Sequence, residues 1–139
     1  MELSTYLGFS FRVALKRIEK GLSQLFEGHG VSIPQSFVLY TLLEDDGSTL
    51  KEIGNKTLID SSSMTVLIDK LEKVDMVERR LDSHDRRAIR VFITPKGREV
   101  AEEVSAIGID FNSQLYGLLG EENQKAFIQG MHNIIEGLS

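Results

Sequence analysis

Between Arg79 and Arg98 the chain carries seven basic residues, Arg79, Arg80, Arg86, Arg87, Arg90, Lys96 and Arg98, against only two acids, Asp82 and Asp85. The stretch is strongly positive although the whole chain has a formal net charge of −5. Clustered guanidinium groups suit phosphate, which they meet with two parallel hydrogen bonds. Upstream, Ser61, Ser62, Ser63 and Thr65 bring short hydroxyls to the start of a helical stretch. Side chains this short allow close approach and can bond base edges or phosphates. Such groups can hold and read a nucleic acid.

Other chemistries lack their groups. The chain has no cysteine, which excludes disulfides, thiolate zinc, iron–sulfur clusters and thiol redox sensing. His29, His84 and His132 fall in a loop, the basic segment and a terminal helix, with no nucleophile–base pair or paired acids around them. An enzyme is therefore not expected. No histidine pair has metal-ligand spacing, and Glu102-Glu103 reads as a solvated face, so neither metal nor cofactor is expected.

The elements that must position these groups follow from periodicity. Phe11, Leu15, Ile18, Leu22 and Leu25 recur at steps of four and three, the stripe of an amphipathic helix that Gly28-His29-Gly30 stops. Ser32 with Pro34 opens a second helix lined by Phe37, Tyr40 and Leu43, which Asp45-Asp46-Gly47 ends. Thr49 and Glu52 form a capping box for a short third helix running to about Lys56-Thr57. Gly54 inside it suggests close approach of a crossing helix. Asp60 caps a fourth helix, with Met64, Leu67, Ile68, Leu71 and Val74 inward and Ser61, Ser62, Thr65, Val66, Asp69, Lys70 and Lys73 outward.

The period then changes. Val77 to Leu81 and Ile89 to Ile93 read as strands joined by a polar loop, a β-hairpin. Thr94-Pro95 starts a long helix with Val100, Val104, Ile107, Phe111, Leu115 and Leu118 on one stripe. Gly120 breaks it, and Glu121-Glu122 begin a last helix with Phe127, Ile128, Met131, Ile134, Ile135 and Leu138 as its apolar face. The fold class is mainly α with a small β-wing. Two short helices followed directly by a basic hairpin make a winged helix-turn-helix, whose second helix fits the major groove. The wing lies along the backbone or in the minor groove.

The stretch from Val77-Glu78-Arg79-Arg80 through Asp85-Arg86-Arg87-Ala88 to Thr94-Pro95-Lys96-Gly97 resembles the signature of the MarR (multiple-antibiotic-resistance regulator) family: a D-x-R wing, then a strand ending in Thr-x-x-Gly. The resemblance covers essentially all of residues 1–139 as one domain. It implies a winged helix-turn-helix lobe at about 33–93 and dimerisation helices at about 3–28 and 95–138. It also implies a homodimer on a pseudo-palindromic double-stranded DNA operator. Carried over by position, Ser61, Ser62, Ser63, Thr65 and Lys70 face DNA, Arg86 lies near the wing tip, and Asp85 orients Arg87. Two positions depart from the pattern: Val66 stands where arginine is frequent, and Asp75 where glycine is frequent. Asp75 must then tolerate a helix-terminating backbone.

The function implied is a sequence-specific transcriptional regulator, a repressor released by a small aromatic or lipophilic effector. The resemblance places the effector among the first, second and fifth helices, with Phe11, Arg12, Phe37, Tyr40 and Phe111 as its lining. A winged-helix interaction module without DNA binding is the alternative, favoured by the acidic total and Val66. No apolar run approaches the roughly 20 residues of a membrane span, and Met1-Glu2-Leu3-Ser4 lacks a signal-peptide start. The expected location is the cytoplasm, away from membranes.

Overall fold

Helix starts fall where side chains satisfy the free N–H groups of the first turn. The computed structural model describes residues 1–139. Helix α1, Leu7–Phe26, follows a single 3₁₀ turn at Leu3–Thr5. In α2, Ile33–Glu44, Ser32 Oγ accepts from Gln35 N (3.3 Å) while Gln35 Oε1 accepts from Ser32 N (2.8 Å). Thr49 and Glu52 make the same reciprocal pair, at 3.2 and 3.1 Å, to open α3, Leu50–Thr57. Asp60 Oδ1 accepts from Ser63 N (2.8 Å) at the start of α4, Ser61–Lys73. Helix α5, Pro95–Leu119, begins with Thr94 Oγ1 accepting from Gly97 N (3.0 Å). Helix α6 spans Glu121–Gly137.

Three antiparallel strands, β1 (Ser48–Thr49), β2 (Val77–Leu81) and β3 (Ile89–Ile93), form one sheet in the order β1-β3-β2. In the wing β2 pairs with β3 from Val77↔Ile93 to Leu81↔Ile89. Two-residue β1 pairs Ser48↔Val91 and Thr49↔Arg90. It is too short to show a sequence period, so the expected hairpin proves to be two strands of a three-stranded sheet with β3 at its centre. Gly47 makes this possible. Its φ is +79°, and a Cβ there would sit 2.8 Å from the Phe92 ring. The Asp46-Gly47 turn thus lies flat on β3, with Gly47 N donating to Val91 O (3.0 Å) and Asp46 Oδ1 accepting from Ile93 N (2.9 Å).

The chain divides into two compact units, Met1–Ile107 and Gly108–Ser139, with the boundary inside α5. The first unit holds the main core: Val38, Leu39, Leu42, Ile53, Met64, Ile68, Leu71, Met76, Val77, Val91, Ile93 and Ala101. Fully burying such side chains contributes about 1.5–3 kcal/mol each. Three expectations are corrected here. Helix α2 enters the core through Val38, Leu39 and Leu42, while Phe37 is exposed and Tyr40 and Leu43 are half-buried. Almost every side of α2 is apolar, so its period does not single out a face. Val74 is exposed because α4 ends at Lys73 and Val74 turns away as its cap. Gly54 is crowded by the turn leading to α4 and not by a crossing helix: a Cβ there would lie 3.3 Å from the carbonyl oxygen of Ile59.

Asp75, with φ +61°, adopts the left-handed conformation expected of it. Its carbonyl accepts from Thr94 Oγ1 (2.6 Å), its neighbour Met76 O accepts from Thr94 N (3.0 Å), and Val74 O accepts from Lys96 Nζ (2.7 Å). Three successive carbonyls after α4 thereby receive donors from the start of α5. In the second unit Gly120, as expected, interrupts the helix. Asn123 Nδ2 then donates to Leu119 O (2.9 Å) and Gln124 Nε2 to Tyr116 O (3.0 Å).

Candidate nucleic-acid interface

The first turn of α4 presents Ser61, Ser62, Ser63 and Thr65, all exposed. Three of these hydroxyls have already spent their protons. Ser62 donates to Asp60 Oδ1 (2.7 Å), Ser63 to Asp60 Oδ2 (3.0 Å) and Thr65 to Ser61 O (3.0 Å). Only lone pairs remain to face outward at these three. They can accept from base amino groups but cannot donate to phosphate. The Ser61 hydroxyl is uncommitted. Val66, half-exposed beside them, offers methyl groups suited to a thymine methyl. Lys70 lies exposed further along the same helix, its side chain without an internal partner.

Asp60 is held in its charged form by this arrangement. The Ser63 N–H, then the Ser62 and Ser63 hydroxyls, lower its pKa from the ordinary 3.8 to about 2. A depressed carboxyl stabilises the fold fully above its unfolded pKa, and that contribution is lost as pH falls through the folded value. The extra stability of native over Asp60→Asn, which keeps one capping oxygen but no charge, should therefore be constant above about pH 4 and shrink toward pH 2. Melting curves of both proteins between pH 6 and pH 2 check this; a difference independent of pH contradicts it.

In the wing most of the positive charge is consumed internally. Arg79 links α4 to the sheet: its Nη1 donates to Glu72 Oε1 (2.9 Å), its Nη2 to Asp69, and its backbone N to Glu72 Oε2 (3.0 Å). Burial opposes the Arg79 charge, but bonding and attraction to Asp69 and Glu72 outweigh it and raise its pKa. Arg80 Nε bonds Glu78 (2.7 Å), lowering that carboxyl's pKa, while its guanidinium lies 4.3 Å from the centre of the Phe92 ring. Such a stacked cation contributes about 0.5–1 kcal/mol at an exposed site. Arg90 Nε bonds Asp82 Oδ2 (2.8 Å), and its Nη1 bonds Gly47 O (2.9 Å). Lys96 is held by Val74 O.

Arg86, Arg87 and Arg98 remain exposed, with no side-chain hydrogen bond or ion pair. Two of the three stand in the wing loop. Asp85 meets Arg87 through the backbone and makes no bond to its guanidinium. Its Oδ1 accepts from Arg87 N (2.9 Å), and its carbonyl accepts from Ala88 N (3.0 Å). The acid shapes the loop backbone and leaves the guanidinium free. Asp82, Arg90 and Gly47 were not among the expected site residues; their only sequence signal is an acid at the loop entry and a base at its exit.

The residues expected around an effector do not all meet. Phe37 and Tyr40 line a cavity of about 310 Å³ with Thr41, Glu44, Lys56 and Thr57, between α2 and α3. Phe11 and Arg12 lie on α1 and are not part of this lining, and Phe111 belongs to the second unit. The buried Tyr40 hydroxyl oxygen has no hydrogen-bond partner. Burial raises the phenol pKa, with the nearby Ser36 hydroxyl acting in the opposite direction. That hydroxyl itself donates to Ile33 O (2.6 Å).

A two-helix turn with a hydroxyl-lined second helix, followed by an antiparallel wing with free arginines, defines a winged helix of the DNA-binding class. Residues 29–88 match the family model described as MarR family. The HTH-type transcriptional regulator TtmR of Methylorubrum extorquens is 34% identical over 96 residues, 69% of this chain and 49% of its own length. The chain thus aligns with about half of that relative. Two solved structures share the fold across nearly the whole chain. The Staphylococcus aureus MepR–DNA complex has a TM-score of 0.89 at 19% identity, covering 95% of this chain and 98% of that one. PcaV of Streptomyces coelicolor, in complex with its natural ligand, has a TM-score of 0.87 at 19% identity, covering 100% and 98%. Residues 29–88 thus carry the MarR-family match, and the chain is similar to HTH-type transcriptional regulators.

Proposed function

We propose that this chain is a repressor that binds a double-stranded, pseudo-palindromic operator as a homodimer and is released by a small effector. The observation that carries the reading is the unpaired state of Arg86 and Arg87 in the wing, which follows a helix whose first residues, Ser61, Ser62, Ser63 and Thr65, are all exposed. Neutralised arginines cannot release counterions from DNA, whereas free ones can. MepR, of the same fold, was solved on DNA.

Ser61, Ser62, Ser63, Thr65 and Lys70 are the proposed contacts of the recognition helix, with Arg86 and Arg87 those of the wing. Asp85 supports the loop. The lobe at about 33–93 reads DNA, and the helices at about 3–28 and 95–138 make the dimer. Leu7, Leu15 and Leu25 on α1 are exposed, as are Ile109, Leu118, Ile135 and Leu138 in the second unit. A soluble monomer rarely leaves so many large apolar side chains in water, and a second copy of the chain covers them. The Phe37–Tyr40 cavity is the proposed effector site. Lys56 at its edge is paired with Glu44, so the unpartnered Tyr40 hydroxyl beside Phe37 is what suits a small aromatic ligand carrying one polar group. PcaV binds a natural ligand on the same fold. No helix is long and apolar enough to cross a membrane, and the proposed place of action is the cytoplasm, where the DNA is.

A gel shift with DNA from upstream of the chain's own gene tests the reading. Binding should weaken steeply with salt, by about 0.9 in log affinity per log salt for each phosphate neutralised. The footprint should cover two half-sites about one helical turn apart. No binding at low salt would leave the interaction module as the better account.

A further inference from the structure

We propose that Arg90 is the positioning residue of the wing: it clamps the wing root to the Asp46-Gly47 turn and so sets where Arg86 and Arg87 stand relative to α4. The proposal rests on the DNA-binding reading above. The Arg90 side chain, though 39% exposed, has its guanidinium bonded on two sides within the protein. One edge of its guanidinium bonds Asp82 at the entry of the wing loop, and the other bonds the carbonyl of Gly47, 43 residues earlier in the chain. Both acceptors are themselves fixed. The Asp82 side chain is only 11% exposed, and its other oxygen accepts from His84 N (2.8 Å). Asp82 N donates to Ala88 O (3.0 Å), closing the loop that carries both arginines. On the far side, Gly47 is held to Val91 and Asp46, and Asp46 in turn to Ile93.

A rigid path therefore runs from the end of α2 through Arg90 to the loop that bears Arg86 and Arg87. The planar fork suits this task, because two bonds in one plane fix direction where a point charge would not. Without the clamp the β2–β3 ladder still holds the wing's base, but the loop swings at its root. A wing that occupies its competent position only a fraction of the time loses affinity by that fraction.

The test uses the full chain in three forms: native, Arg90→Gln, and Arg90→Gln with Asp82→Asn, which leaves the net charge unchanged. In the DNA-free proteins, amide exchange at Asp82 and Ala88 should quicken in both variants while that of α4 stays native. Operator affinity should fall about tenfold in both. In the double variant the salt slope should not change, because the Arg90 charge is already matched by Asp82. Native amide exchange in the wing of the double variant would overturn the proposal whether or not the chain binds DNA. So would a salt slope reduced by about one with equal loss on every DNA, since that marks Arg90 as a phosphate contact. Failure of the native chain to bind would instead count against the repressor reading, leaving the exchange measurement to decide the clamp.

Discussion

Changing Arg86 and Arg87 together to alanine should weaken operator binding by about 3 kcal/mol, roughly a hundredfold, with the fold unaffected. Phosphate or base contacts of arginine are worth roughly 1–3 kcal/mol each, and adjacent residues seldom add in full. Both side chains are exposed and bonded to nothing in the protein, so their loss leaves no buried partner behind. The salt slope should drop by about two for each wing if both meet phosphates. Titration of the native and double-variant proteins at several salt concentrations gives both quantities. Unchanged affinity would remove the wing loop from the interface. A control on Arg79 sharpens the contrast. Arg79 neutralises Asp69 and Glu72 on α4, so its loss should reduce stability as well as binding.

Gly97→Ala should be the most damaging single methyl group in the chain, costing about 3 kcal/mol or more of stability. A Cβ at this position would lie 2.0 Å from the carbonyl oxygen of Met76 and 2.9 Å from its carbonyl carbon. Both are backbone atoms in a turn whose carbonyls receive Thr94 and Lys96, so neither side can yield cheaply. Relief requires sliding the start of α5 away from the end of α4, which breaks those bonds. Denaturant unfolding should show the midpoint falling sharply. Gly130→Ala in α6, where an added methyl meets nothing within 4 Å, should be neutral or stabilising by up to about 1 kcal/mol. Equal effects at the two positions would refute the steric account. The requirement also explains in physical terms why Thr94-x-x-Gly97 follows the wing: threonine caps the helix, and glycine lets it dock.

Much of this was legible along the chain because its causes are local. The Thr49–Glu52 box, the Asp60 cap and the bounds of both wing strands are set by residues within a few positions of one another. The inward face of α2 was not legible. Phe37 is as apolar as Val38, Leu39 and Leu42, and only the elements packed around α2 decide that it stays exposed while those three are fully buried. Likewise β1 exists only because Gly47 lets a turn lie flat on a strand over 40 residues further on.

The basic wing shows the same division most clearly. Residue types and spacing alone determined that a cluster of arginines and lysines follows a hydroxyl-lined helix, because charge and periodicity are properties of the chain itself. Which of those cations are free was decided by tertiary structure alone. Arg79 meets acids on the preceding helix, Arg80 an acid and a ring, and Arg90 a carbonyl beyond α2. An ion pair depends on distances of about 3 Å that folding sets, so seven positive charges in sequence become two open guanidiniums in the wing loop.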